Sequence, residues 1–346
     1  MSERRVLLVY TGGTIGMVQD MEDGSLKPFL QDALLEYIPE LRAMPLVIET
    51  QRLTRIIDSS DMKPAVWKEL AELIFSQRED YDGFVILHGT DTMAFTASAL
   101  SYMLPDFNKP IVFTGSQLPI GILRTDGKEN LVTAIEIAAA KRRDRPRVPE
   151  VSVYFEYCLM RGNRVTKYSA EHFDAYRSPD YPILAEAGID IEYQDAFIHS
   201  PSADSSPRLL SGMCSEVAVL KLFPGICKEV VEAVLKAPVK GIVMETFGAG
   251  NGPTEPWFLS LLQDAVGRGL TILNITQCLD GSVQHGRYAT SAAFEELGVI
   301  SGGDMSFEAG ITKLMHVLAR AEGDKEEIRS LLLKPLAGER GEAFWA

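Results

Sequence analysis

The sequence predicts an α/β protein in two domains, a large N-terminal parallel-sheet domain with flanking helices and a smaller C-terminal α/β domain. Three observations carry this. Short apolar runs of strand length alternate with stretches whose apolar residues recur at helical spacing, the pattern of repeated β-loop-α units. Several runs end abruptly in small, hydroxylated or acidic residues, as strand carboxyl ends do where they line a ligand crevice. A polar stretch with two prolines, Ser200-Pro-Ser-Ala-Asp-Ser-Ser-Pro207, interrupts the alternation before it resumes. On this reading the first domain spans 1–200, a linker 201–213 and the second domain 214–346, and 346 residues suffice for two full cores.

Val6-Leu-Leu-Val-Tyr10 reads as a buried strand of a parallel sheet and runs straight into Thr11-Gly-Gly-Thr-Ile-Gly16. Two threonines framed by three glycines offer a hydroxyl nucleophile and backbone N–H groups that a substrate can approach closely. Leu53-Thr-Arg-Ile-Ile57 predicts a strand that exits into Asp58-Ser-Ser-Asp61. Phe84-Val-Ile-Leu87 exits into His88-Gly-Thr-Asp-Thr92, with a helix over 92–104 for which Thr90 or Asp91 is a natural N-cap. Ile111-Val-Phe113 leads through Thr114-Gly-Ser-Gln117 to a helix over 128–141, and Val151-Ser-Val-Tyr-Phe155 begins a further strand. Turn chemistry alone accounts for each exit taken singly. Their shared hydroxyl-rich bias, at strand ends that converge in one sheet, points to a single crevice. Beyond the linker, Val217–Leu220, Gly241–Met244 and Leu270–Ile275 are strands, each followed by a turn and a helical stretch.

A net charge of −14 disfavours a nucleic-acid partner, which needs a basic surface. The one dense basic run, Lys141-Arg-Arg-Asp-Arg145 with Arg147, is expected to be a solvated helix end whose cations complement the dipole. The first apolar run is too short for a signal-peptide core and no stretch approaches a membrane span, so no membrane partner is expected. Cys158, Cys214, Cys227 and Cys278 form no CxxC pair, and His88, His172, His199, His285 and His316 show no HExxH spacing. A reduced, cytoplasmic setting without metal follows. Gly12-Gly-Thr-Ile-Gly16 misses GxGxxG at one glycine, and neither a P-loop nor a GxSxG elbow is present, so no cofactor is expected.

Taken together, Thr11–Gly16, Asp58-Ser-Ser-Asp-Met62, Gly83-Phe-Val-Ile-Leu-His-Gly-Thr-Asp-Thr-Met93 and Arg161-Gly-Asn-Arg-Val-Thr-Lys167 resemble the bacterial-type L-asparaginases, the cytoplasmic type I subgroup in particular. The resemblance extends through Gln277-Cys278 and Tyr288-Ala-Thr290. It implies that Thr14 attacks the side-chain amide of L-asparagine, supported by Thr90, Asp91 and Lys167, and that an acyl-enzyme is hydrolysed to L-aspartate after ammonia leaves. It also implies that Asp58, Ser59 and Ser60, with Thr90 and Asp91, grip the amino-acid end of the substrate. Backbone N–H groups near Gly13 and Thr90 are candidates for the oxyanion hole.

Two departures from the family pattern stand out. The segment Met17–Phe29 would be the mobile lid, yet it lacks the tyrosine that many relatives use to assist the nucleophile. Tyr288 matches a tyrosine that some type I relatives use instead, in some from a neighbouring subunit, which would make the working form a homodimer or homotetramer. Cys278 matches part of an allosteric asparagine site, but Glu245 stands where that site needs an arginine, so hyperbolic kinetics are expected. The rival within the fold is a glutamine-hydrolysing, ammonia-supplying subunit of a tRNA-dependent amidotransferase. That subunit normally carries an extra N-terminal domain, whereas this sequence opens at its first strand. A non-catalytic amino-acid sensor is a rival of another class, one with no use for an intact nucleophile set.

Overall fold

The computed structural model describes residues 3–19, 26–28, 37–199, 201, 205–284, 286 and 289–341. The chain divides into two units, Met1–Ser211 and Gly212–Ala346, each built on its own sheet. The strands of the first unit are β1 (Arg4–Tyr10), β2 (Met17–Gln19), β3 (Leu26–Pro28), β4 (Leu46–Arg52), β5 (Gly83–Leu87), β6 (Ile111–Thr114), β7 (Lys141–Arg142) and β8 (Arg145–Pro146). They continue with β9 (Val151–Phe155), β10 (Cys158–Arg161), β11 (Thr166–Lys167), β12 (Tyr176–Arg177), β13 (Ala185–Ala187) and β14 (Ile191–Tyr193). The main sheet has the order β14-β13-β10-β9-β6-β5-β1-β4. The five strands from β4 to β9 in that order are parallel, and β10, β13 and β14 complete the far side antiparallel.

The central strands are apolar on both faces because helices cover both. Val6, Leu8, Val85, Leu87 and Val112 pack with Leu131, Ala134, Ile135 and Ala138 of the helix Gly127–Ala139. The alternating set, Leu7, Val9, Phe84, Ile86 and Phe113, is as deeply buried and points to the other face. Each such side chain contributes about 1.5–3 kcal/mol by leaving water.

Two sequence expectations are corrected here. The strand expected at Leu53–Ile57 lies earlier, at Leu46–Arg52, a half-buried edge strand of mixed polarity. Leu53 N–H still donates to the Tyr10 carbonyl (3.2 Å), but Thr54 N–H turns away to Glu69 (2.8 Å). Contact with the strand's exit is regained only where Ile57 N–H reaches the Thr11 carbonyl (3.1 Å). The basic run is not a helix end. The helix stops at Ala139, and β7 and β8 form a tight hairpin with Arg143 and Asp144 at φ 49° and 64°, the left-handed geometry a two-residue hairpin requires. Acids rather than a dipole take up its cations: Lys141 pairs with Asp82 at 2.7 Å, and Arg142 and Arg147 share Asp195 at 2.5 and 2.8 Å.

The second unit holds a parallel sheet of β15 (Val217–Lys221), β16 (Gly241–Thr246), β17 (Thr271–Thr276) and β18 (Ile300–Ser301), in that order. Leu220, Ile242, Met244 and Ile272 pack with Val231, Leu235, Phe258 and Leu262 from two helices. A fully buried ion pair closes this unit: Lys313 Nζ lies 2.5 Å from Glu339 and also donates to the carbonyls of Leu332 and Lys334. Burial alone would raise the Glu339 carboxyl, yet the Lys313 charge and the N–H groups of Leu336 and Ala337 hold it below its usual range. Glu339→Gln should therefore lower stability by about 3–5 kcal/mol, because it strands a buried ammonium. Lys313→Met combined with Glu339→Leu should recover most of that loss; urea denaturation of the two variants checks it.

Candidate active site

The four hydroxyl-rich exits follow β4, β1, β5 and β6, which are consecutive in the sheet, so their loops are neighbours at one end of it. The glycines in those loops bring backbone against backbone. A Cβ on Gly13, whose φ is 92°, would sit 2.4 Å from the Gly89 backbone, and one on Gly12 would sit 1.9 Å from the Ile57 carbonyl oxygen. A Cβ on Gly89 would meet the Ser59 hydroxyl at 2.5 Å. These glycines therefore let three loops touch, so the threonine motifs of Thr14 and Thr90 stand side by side. Thr14 begins a single helical turn, Thr14–Gly16, and is partly exposed. Beneath that turn the Tyr10 hydroxyl, pushed up to about 12 by burial, remains a donor and reaches the Gly16 carbonyl at 3.3 Å. Thr11 is buried, and its hydroxyl donates to the Leu87 carbonyl (2.9 Å), tying the exit of β1 to that of β5.

Lys167 arrives on the β11–β12 hairpin, 77 residues away from Thr90 in the chain. Its Nζ donates to Thr90 Oγ1 and to Asp91 Oδ1, each at 2.8 Å. The lysine side chain is 17% exposed and that of Asp91 63%, so the ammonium is largely enclosed while the carboxylate still faces solvent. Thr90 Oγ1 in turn donates to Gln117 Oε1 (3.3 Å), from the exit of β6. Gln117 is itself held, its backbone N–H by Asp126 (2.8 Å) and its side-chain amide by the His172 carbonyl (3.0 Å).

Neither Thr90 nor Asp91 caps the following helix. That helix starts at Met93 after Thr92, and the Thr92 hydroxyl donates to the Ser59 carbonyl (2.7 Å) rather than to its own helix. Asp58 and Ser60 are exposed and Ser59 is buried. Asp58 Oδ1 accepts from both the backbone N–H and the hydroxyl of Ser60, each at 2.9 Å, and these bonds hold its carboxyl below the usual carboxylate range. Asp58 therefore stays ionised in mildly acidic solution.

Tyr288 lies outside the described residues, as do residues 20–25 and 29 of the lid segment. In the second unit Glu245 pairs with Lys221 at 3.2 Å, its carbonyl accepts from Gln277, and Cys278 is exposed. Sequence reasoning missed two contributors. Tyr176, opposite Lys167 in the hairpin, donates its hydroxyl to the Thr90 carbonyl; no motif contains it. His88 stands inside the Thr90 motif but signals nothing by spacing. Among the described residues, no group of three or more His, Cys, Asp or Glu side chains could hold a metal ion.

The family description "Asparaginase, N-terminal" matches residues 5–199, and "Glutaminase/Asparaginase C-terminal domain" matches residues 216–332. The chain is 43% identical over 344 residues to L-asparaginase 1 of Escherichia coli K12, covering 98% of each chain. Among solved structures it is similar to the thermostable L-asparaginase of Thermococcus kodakarensis, at 34% identity and a TM-score of 0.89 over 98% of this chain and 100% of that one. It is also similar to L-asparaginase I of Vibrio cholerae, at 38% identity and 0.88 over 99% of this chain and 100% of that one. Matches to both halves, and to whole chains, lead to one conclusion: the chain belongs to the asparaginase family.

Proposed function

We propose that the protein hydrolyses L-asparagine to L-aspartate and ammonia through an acyl-enzyme on Thr14. The observation that carries this reading is Lys167 Nζ at 2.8 Å from both Thr90 and Asp91, beside the loop that bears Thr14. A threonine hydroxyl is a weak nucleophile and needs a neighbour to take its proton. The Lys167–Thr90–Asp91 set performs that task as Thr14 Oγ bonds to the side-chain amide carbon. Negative charge collects on the amide oxygen, where backbone N–H groups near Gly13 and Thr90 receive it. The C–N bond breaks, ammonia leaves with the proton it gains, and water hydrolyses the ester to free L-aspartate and Thr14.

The exposed side of the Asp91 carboxylate pairs with the substrate α-ammonium, and Asp58, Ser59 and Ser60 hold the amino-acid end. Clamping of this kind is worth up to about 7–11 kcal/mol in ideal intramolecular systems. Tyr288 assists Thr14, from a partner copy in a homodimer or homotetramer. The four free cysteines suit a reducing, cytoplasmic setting. No described helix is long and apolar enough to cross a membrane.

Steady-state ammonia release with asparagine and glutamine in competition tests the reading. Asparagine turnover supports it, and release from glutamine alone would favour the ammonia-supplying rival. One methylene discriminates by only about 1–3 kcal/mol, so some glutamine turnover is compatible with the proposal. The asparagine saturation curve should be hyperbolic, because Glu245 is a carboxylate already engaged by Lys221 and cannot pair with an effector carboxylate. A clearly sigmoidal curve would overturn that part.

A further inference from the structure

His88 is 1% exposed and lies on the sheet face whose neighbouring positions are Phe84, Ile86 and Phe113. A polar ring in such a layer destabilises unless every nitrogen is bonded. Here every one is. Nδ1 lies 2.7 Å from the Gly89 carbonyl oxygen, Nε2 lies 2.9 Å from Thr96 Oγ1, and that hydroxyl accepts from Trp67 Nε1–H at 3.0 Å. The carbonyl can only accept and the indole can only donate, so the proton sits on Nδ1 and Thr96 donates to Nε2. Burial, which pushes the imidazole down to about 4, keeps this neutral form at pH 7.

The chain contains no cis peptide bond among its described residues. With the Gly89 oxygen turned inward to His88, the Thr90 N–H of the same planar unit must point the opposite way, out of the core. The next peptide is also pinned, since the Thr90 carbonyl is taken by Tyr176. Gly89 itself is wedged between Ser59 and Gly13. We infer that His88, relayed through Thr96 and Trp67, is the positioning residue that locks the Gly89–Thr90 peptide with its N–H presented to the substrate oxyanion. The inference rests on the threonine-nucleophile reading above. An aliphatic or phenyl group would fill this layer equally well; only the hydrogen bond explains a histidine.

His88→Phe keeps the ring and removes the donor. It should lower kcat by about 10²-fold, as loss of an oxyanion donor does, with KM and the inhibition constant of L-aspartate within about threefold of wild type. His88→Asn places an amide N–H near the former Nδ1 and should return kcat to within about tenfold of wild type. A role limited to core stability would shift the melting temperature without this split between kcat and KM. Folded His88→Phe with kcat within about threefold of wild type, or His88→Asn as impaired as His88→Phe, overturns the inference. If His88→Phe does not fold, Thr96→Val decides: a kcat loss of about tenfold at unchanged KM supports the lock, and an unchanged kcat overturns it. Thr14→Ala is assayed alongside. If it is dead while His88→Phe is fully active, the lock alone falls; if Thr14→Ala remains active, both readings fall.

Discussion

Thr14→Ala should lower kcat for ammonia release by about 10⁴–10⁶-fold, the scale on which removal of a covalent nucleophile acts in enzymes of this kind. The substitution should leave the fold untouched. Thr14 occupies one short, partly exposed turn, and the glycines on either side, not the threonine side chain, make the close loop contacts. Asp58, Ser60 and Asp91 remain in place, so asparagine binding by calorimetry should persist within about tenfold. Binding without turnover is the signature of a lost nucleophile, since interactions made only in the transition state disappear while ground-state contacts stay. Retained turnover within about tenfold of wild type would remove Thr14 from the chemistry. Equal loss of binding and turnover would indicate a damaged crevice instead.

Lys167→Met should lower kcat by about 10²–10⁴-fold while barely moving stability. The pair with Asp91 is short, but 63% of the acid's side chain faces solvent. An ion pair screened in that way contributes about 0–1 kcal/mol to folding, so the melting temperature should move by no more than about 4 °C. Methionine keeps the stem's volume and removes the charge and the three donors. Lys167→Arg should fail to restore activity: a planar guanidinium directs its N–H groups differently from an ammonium and does not release a proton in proteins. Stopped-assay kcat values, read against thermal melts of the same samples, separate the two effects. A variant that loses stability and activity together would mark Lys167 as a structural tie rather than a group that serves Thr14.

The two sheets and most of their strands were legible because burial on both faces leaves an unmistakable apolar run, as in Val6–Tyr10 and Phe84–Leu87. The edge strand was not. Leu46–Arg52 is half-buried and mixes polar with apolar residues, so the more apolar segment beside it, ending Ile56-Ile57, drew the assignment. The basic hairpin was misread for a related reason: a run of cations says that a segment is solvated, and only Asp82 and Asp195, distant in sequence, say what it bends toward. Lys167 could be singled out only through its motif, since an isolated lysine in a polar stretch is otherwise indistinguishable from surface.

By itself the sequence determined the fold class, the hydroxyl-rich strand exits and the family resemblance, because these depend on side-chain chemistry along the chain and its period of burial. The tertiary structure alone decided that Gly13 rests on Gly89, that the β11–β12 hairpin delivers both Lys167 and Tyr176 to Thr90, and that His88 turns the Gly89 carbonyl inward. Those are contacts between backbones and between residues far apart in the chain. Periodicity reports which groups avoid water, whereas the direction in which a peptide plane faces is set by partners that no local pattern contains.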